Sequence, residues 1–336
     1  LVEAGLQVIV IARRQVKALR TRYGLAGNKD DRTDAYLLAD VLRTDGHRLR
    51  PLAPASEATM ALRASVRARK DLVHTRVGLV QQLGAHLALV FPGALGLFKK
   101  LESPIATAFL TRFPSARQAA WLSPRRFAAW LTRQGYTGRR SGADLHARMV
   151  AAPAGISGPE AEPLAAITLG YVRAIAALCE QIMLLEERIA EQLSGHPDGA
   201  IFTSLPRSGS VRAATLLAEI GDCRERFPAP EALACLAGAA PSTRRSGQHH
   251  AVTFRYACDK KLRDALIDFA GGSRFDNVWA ADLYERAIAR GKRHPHAVRI
   301  LARAWVYVIW RCWQDGVPYR PGRHQALQRV TLTRSA

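Results

Sequence analysis

The 336-residue sequence predicts a mostly α-helical chain with a partial α/β piece at its start. Two long stretches carry apolar residues at helical spacing, from Ser56/Glu57 to Phe91 and from Leu164 to about Ser194. Near the beginning, Gly5 follows a helix-like Leu1–Ala4 and precedes the β-branched run Gln7–Ala12, the order of half an α/β unit. Between and after the long helices, Pro and Gly cut the chain into short helical lengths.

The charge balance narrows the partner. Lys and Arg number 49 against 28 Asp and Glu, a net charge of +21. Such an excess is the electrostatic footprint of a protein that holds phosphate polymers. The 48% hydrophobic content is enough for real cores. Five cysteines form no C-x-x-C pair, so reduced thiols and a cytoplasmic, nucleoid-associated place are expected. No apolar run reaches the roughly 18 residues of a membrane span, and a soluble chain without a signal peptide is expected.

In chain order, Arg13–Arg22 reads as a basic helix or loop. A helix follows from about Arg32 to Arg43, with Leu38, Val41 and Leu42 as its apolar row. Asp31 suits its N-cap and Asp34 lies at the same helix end. That pair reads either as acids favouring a helix dipole or as carboxylates available to a metal. Leu52–Ser56 is a Pro-containing linker, and 155–163 is a second one. The second long helix shows two heptad rows, Tyr171/Leu178/Leu185 and Ile175/Ile182/Ile189. These suit a coiled-coil seam with the first long helix, with some contribution to a dimer. Trp305, Tyr307, Trp310 and Trp313 read as a core stripe. The boundaries expected are 1–52, 53–195, 196–320 and a basic tail 321–336.

The stretch 206–263 carries the chemistry. Leu205-Pro206-x-x-Gly209 before Ala213–Ile220 has the pattern of a helix–hairpin–helix turn, whose small residues let backbone N–H groups approach a phosphate; an ordinary helix–helix turn has the same pattern. Arg207, Ser208 and Gly209 are its candidate DNA contacts, joined by Arg244, Arg245, Lys260, Lys261 and Arg263. Ser246, in Arg244-Arg245-Ser246-Gly247, reads as a turn serine or as a nucleophile whose neighbouring arginines hold a phosphate. His249 and His250 are candidate bases or ligands, although no spaced Cys or carboxylate accompanies them as a metal site needs.

Taken together, Lys29-x-Asp31-x-x-Asp34-Ala35-x-x-Leu38-Ala39 and the C-terminal motifs resemble one family of bacterial insertion-sequence transposases. The C-terminal motifs are Leu205-Pro206-x-x-Gly209, Ala213–Asp222, Arg226-Phe227, Ala237-Gly238-x-x-Pro241–Gly247 and Lys260–Leu266. Those enzymes join a RuvC-like (RNase H-like) DEDD domain to long helices and a serine-bearing C-terminal domain. The resemblance implies a DNA recombinase guided by a structured RNA and working as a homo-oligomer. It makes Asp31 and Asp34 the last two of four metal-binding acids, holding Mg²⁺, and Ser246 the nucleophile, with Ser242 as runner-up. The first two acids would precede residue 1, so an N-terminally truncated DEDD domain is expected over 1–52. Arg207 replaces a glycine usual in the family, and Cys258-Asp259 replaces a Gly-Asn pair. Two rival readings stand: an inactive nucleic-acid-binding remnant, and a RuvC-like nuclease that uses the acids alone.

Overall fold

A computed structural model describes residues 4–11, 13–23, 30–49, 51–156, 158–247 and 249–335. It divides the chain into two compact units, one of 1–56 with 222–228 and one of 57–221 with 229–336. The fold is mostly α with one small sheet.

In the first unit, α1 (Arg13–Tyr23) packs on α2 (Asp31–Asp45), which buries Leu37 and Val41. The run 7–11 does not become a strand. Leu52 N–H donates to the Val8 carbonyl at 2.7 Å, but no described residue adds a neighbouring strand, and Val10 stays 72% exposed. A β-branched run reads as a buried strand only where a sheet is there to receive it. Ala12, Lys29 and Leu1–Glu3, which belong to the sequence readings above, lie outside the described residues.

The second unit is built on two 34-residue helices, α3 (Glu57–Val90) and, later in the chain, a partner that packs along it. Between them lie α4 (Pro104–Arg112), α5 (Ala116–Ala119), α6 (Pro124–Arg133) and α7 (Gly142–Ala151). Each starts on a serine N-cap, Ser103, Ser115, Ser123 and Ser141, whose hydroxyl accepts an N–H of the first turn. Their core is aromatic. Phe109 sits among Phe91, Phe98, Phe113, Phe127 and Trp130 at 5.3–6.1 Å between ring centres.

The second long helix is α8 (Ala161–Ser194). Its buried row is Val172, Ile175, Ile182 and Ile189, which includes one of the two predicted rows; Tyr171, Leu178 and Leu185 are half-buried. Arg69 of α3 reaches Glu186 of α8 at 2.5 Å. By length and composition α8 is also apolar enough to cross a bilayer, with a mean hydropathy of 1.4 over 18 residues. Those apolar residues include the row that faces α3.

The chain continues through α9 (Gly199–Thr203), α10 (Gly209–Ile220), α11 (Pro230–Leu236), the hairpin β1 (Ser242–Ser246) and β2 (His249–Thr253), then α12 (Lys260–Ser273), α13 (Val278–Ala289), α14 (His294–Gln314) and α15 (Gln325–Ser335). Trp305 of α14 is fully buried between Phe269 and Trp279, and its indole N–H donates to the Ser273 hydroxyl at 2.8 Å. Trp313 is buried too and donates to Asp198 at 3.2 Å. Tyr307 departs from the predicted stripe. It is 37% exposed because the helical period puts 305, 309 and 313 on the inner face and 307 off it.

Candidate functional site

The acidic helix end is built locally. Asp30, not Asp31, is the N-cap of α2: its Oδ1 accepts the Thr33 N–H at 2.7 Å and its Oδ2 the Thr33 hydroxyl at 2.6 Å. The cap falls one residue earlier than the sequence predicts because Asp30 takes the extended backbone (φ −139, ψ 157) that capping needs. The Thr33 hydroxyl, then its N–H, holds the Asp30 carboxyl below the usual range. Asp31 is the exposed first helical residue. Asp34, one turn on, is gripped by Arg20 of α1, with Nε to Oδ1 at 2.8 Å and a second nitrogen to Oδ2 at 2.5 Å. That contact raises the Arg20 pKa further.

For a hard divalent cation, the carboxylate chemistry of Asp31 and Asp34 is right and the arrangement is half a site. Both Asp34 oxygens are engaged by Arg20, and among the described residues no group of three His, Cys, Asp or Glu stands ready for a metal.

The turn between α9 and α10 is a tight one. Arg207 has φ +55, a left-handed value in which a β-carbon is costly, and Gly209 has φ +61. The family resemblance implies a glycine at position 207, and a positive φ is the conformation glycine adopts at least cost. Ser208, between them, is 4% exposed, and its buried hydroxyl has no hydrogen-bond partner among the described residues. In front of the α10 N-terminus lies a cavity of about 680 Å³, lined by Ser208, Gly209, Arg67, Lys70 and Lys261 but also by Glu219, Asp264 and Asp268. Much of the positive charge there is internally answered. Arg67 clasps the buried Glu219 at 2.7 and 2.9 Å, Arg212 meets Asp268 at 2.7 Å, and Arg207 turns to Asp276 at 3.2 Å and over the Phe275 ring at 5.3 Å.

The third component is the hairpin, which the sequence did not signal. β1 carries two arginines and β2 two histidines, without the apolar alternation that marks a strand facing a core. Their register pairs Ser242 with Thr253, Arg245 with His250 and Ser246 with His249. Gly247, at φ +54, opens the turn. Ser246 is therefore the last residue of β1, exposed at the hairpin tip, with exposed Arg245 beside it and His249 across the ladder. Ser242 lies at the other end, half-buried. The side chains of Arg244 and His249 lie outside the described residues.

At the hairpin base a groove of about 320 Å³ is lined by Arg255, His296, Arg299, Arg303, Phe254 and Thr253, among others. Arg299 lies over the Phe254 ring at 4.8 Å and Arg263 at 6.0 Å, while Tyr256 projects with 80% exposure. Arg263 thus borders the hairpin, Lys261 lines the cavity at α10, and Lys260 is exposed on α12. Arg255, Arg299 and Arg303 are missing from the sequence-predicted set. Their signal was the acid-free stretch 286–303 with six Lys and Arg, together with the single arginine after β2. The serine and the arginine groove share the second unit, whereas Asp31 and Asp34 belong to the first.

Two family models match the chain. One, described as a transposase of the DEDD type of IS110, covers residues 1–92, and one described as the transposase IS116/IS110/IS902 family covers 199–285. A mini-circle protein of IS117 from Streptomyces coelicolor, named as a transposase, is 31% identical over 88% of this chain and 73% of its own length. A 42 kDa protein of insertion element IS900 from Mycobacterium paratuberculosis is 28% identical over 96% and 80%. A 43.6 kDa protein of insertion element IS110 from S. coelicolor is 28% identical over 87% and 72%.

Proposed function

From the premise that the chain belongs to the IS116/IS110/IS902 family of transposases, we propose that it cuts and rejoins DNA strands with Ser246 as nucleophile. The observation that carries this reading is the place of Ser246: an exposed hydroxyl at the tip of a hairpin, next to Arg245, in a hairpin whose base borders an arginine-lined groove. In the proposed step the Ser246 Oγ–P bond forms as one P–O bond of the DNA strand breaks. The hydroxyl proton passes to a base, for which His249 and His250 are the nearest in register, and the departing strand oxygen takes up a proton. The phosphodiester is kept as a protein–DNA ester, so a second DNA hydroxyl can reverse the step without an energy source. Arg245 would answer the charge on the non-bridging oxygens.

Asp31 and Asp34 would hold Mg²⁺ in exchange for the Arg20 ion pair, with further ligands from outside the described residues. When bound, the cation would polarise the scissile phosphate. A structured guide RNA, a homo-oligomer and a cytoplasmic, nucleoid-associated site of action complete the reading, all resting on family likeness. The helix–hairpin–helix turn with Ser208 and Gly209, and Lys260, Lys261 and Arg263, would hold the DNA backbone.

The deciding experiment traps covalent protein–DNA adducts on labelled element ends. Ser246→Ala should abolish the adduct while Ser242→Ala keeps it. Cleavage that persists without an adduct in Ser246→Ala would instead establish a nuclease that uses the acids alone. Salt-sensitive DNA binding with neither product, in the parent chain, would establish a binder only.

A further inference from the structure

We infer that the short-helix module between α3 and α8 carries a second nucleic-acid site, a pocket at Trp121 that takes one unpaired base of a single strand. The module lies outside both regions matched by the family models, which end at residue 92 and resume at 199. Residues 92–152 hold ten Lys and Arg against two acids, Glu102 and Asp144, and Asp144 is committed to the capping box of α7. A structural spacer has no need of that imbalance.

Within the module, a cavity of about 520 Å³ opens between the end of α4, the turn that follows α5, and α6. Its floor is apolar and aromatic: Phe113, Leu122 and Trp130 are each more than nine-tenths buried. One wall is Trp121, whose indole is 48% exposed and lies 6.1 Å from the Phe113 ring. The rim carries Arg112, Arg126 and Arg133, all exposed, and none forms an ion pair among the described residues. Arg126 is fixed in place. It donates to the Trp121 carbonyl at 3.0 Å, and its guanidinium stands 5.1 Å from the indole centre.

The lining selects the ligand. No carboxylate faces the cavity, in contrast to the one at the α10 N-terminus, so a cationic or peptide-amine ligand would find no partner. A flat aromatic group suits the tryptophan wall and aromatic floor, and anionic groups on either side of it suit three guanidiniums that form no ion pair among the described residues, although Arg112 lies over the Phe113 ring and Arg126 over the indole. A nucleobase with its flanking phosphates has both properties, and the volume falls in the range of small-ligand sites. A base within a duplex keeps both faces stacked and its edge paired, so only an unpaired one can enter.

The test uses the full chain and two fluorescein-labelled 12-mers, oligo(dT) and oligo(U), read by anisotropy at fixed salt. Trp121→Ala should weaken binding of at least one of them about tenfold, the usual scale for losing one stacked base. Trp121→Phe should restore most of it, and Arg126→Ala should lower affinity and flatten its salt dependence. Loss confined to one oligomer assigns the strand as DNA or RNA. Photocrosslinking from 5-iodouracil placed in the same oligomers should map to peptides within 112–134, a readout that holds even where a variant folds poorly. Affinities within twofold of the parent for both oligomers in a folded Trp121→Ala, or the absence of any crosslink within 112–134, would overturn the inference. Ser246→Ala should leave all of these readings unchanged, which keeps this site distinct from the proposed strand-cutting one.

Discussion

The acid-bearing helix end and the serine-bearing hairpin are held by different kinds of support. At α2, position comes from neighbours in sequence and one ion pair: a cap at Asp30, a grip from Arg20, and two buried apolar residues beneath. At the hairpin, position comes from far along the chain. Ser246 hangs from a body in which α10, α12 and α14 bury Ala214, Leu217, Leu266, Phe269, Trp305 and Trp313. A local device can be read from a short motif and can be remade by a short change. A long-range one is read only from the whole unit.

The largest effect that could break this contrast is in the second unit. Trp305→Ala removes a buried indole, its three edge-on ring contacts and its bond to Ser273, and should cost about 3–5 kcal/mol. Denaturant unfolding followed by circular dichroism would show it, and a cost below 1 kcal/mol would mean the body does not rest on this residue. Leu37→Ala in α2 should cost about 2–3 kcal/mol, at the low end of the range for buried leucines because little else is buried with it. Limited proteolysis should then cut first within 13–45 and leave 57–221 protected. Uniform cutting would deny the division into two supports.

Smaller still, Arg207→Gly should stabilise by about 1 kcal/mol or less, since glycine relaxes a φ of +55 while the exposed Asp276 contact is lost. A loss of stability would show that the guanidinium contacts outweigh backbone strain. The finest test is of pH. Burial beside Trp279 and Tyr319 holds the His324 pKa below its ordinary 6.5. The unfolded chain therefore takes up a proton there before the folded one does. The stability from neutral His324 is full above pH 6.5 and falls as pH drops from 6.5 towards the depressed folded value. Melting curves between pH 7 and 5 should show this fall, and His324→Gln should reduce it.

Much of the fold was legible. The two long helices, the Pro- and Gly-cut module and the buried tryptophans of α14 follow from spacing and punctuation, which are local properties. The run at 7–11 misled because a strand is defined by partners that its own residues do not reveal. The hairpin at 242–253 escaped for the opposite reason. Its arginines and histidines hide the strand alternation, and only the register shows that Ser246 stands at a tip. Asp31 was expected at the cap, and Asp30 holds it, a difference of one residue at a helix boundary, where local signals overlap. Arg255, Arg299 and Arg303 meet only in three dimensions. The cavity wall at Trp121 could not have been drawn from sequence, since its floor is assembled from α4 and α6.

Among the described residues the hairpin ladder has no third strand, and two-stranded ribbons are marginal on their own in water. The hydroxyl that the proposed chemistry uses thus sits on a two-stranded ribbon and not on one of the packed helices. Amide protons across 243–252 should exchange with solvent long before those of α10 or α14, so the ribbon can bend towards a bound strand without disturbing the helices that carry it.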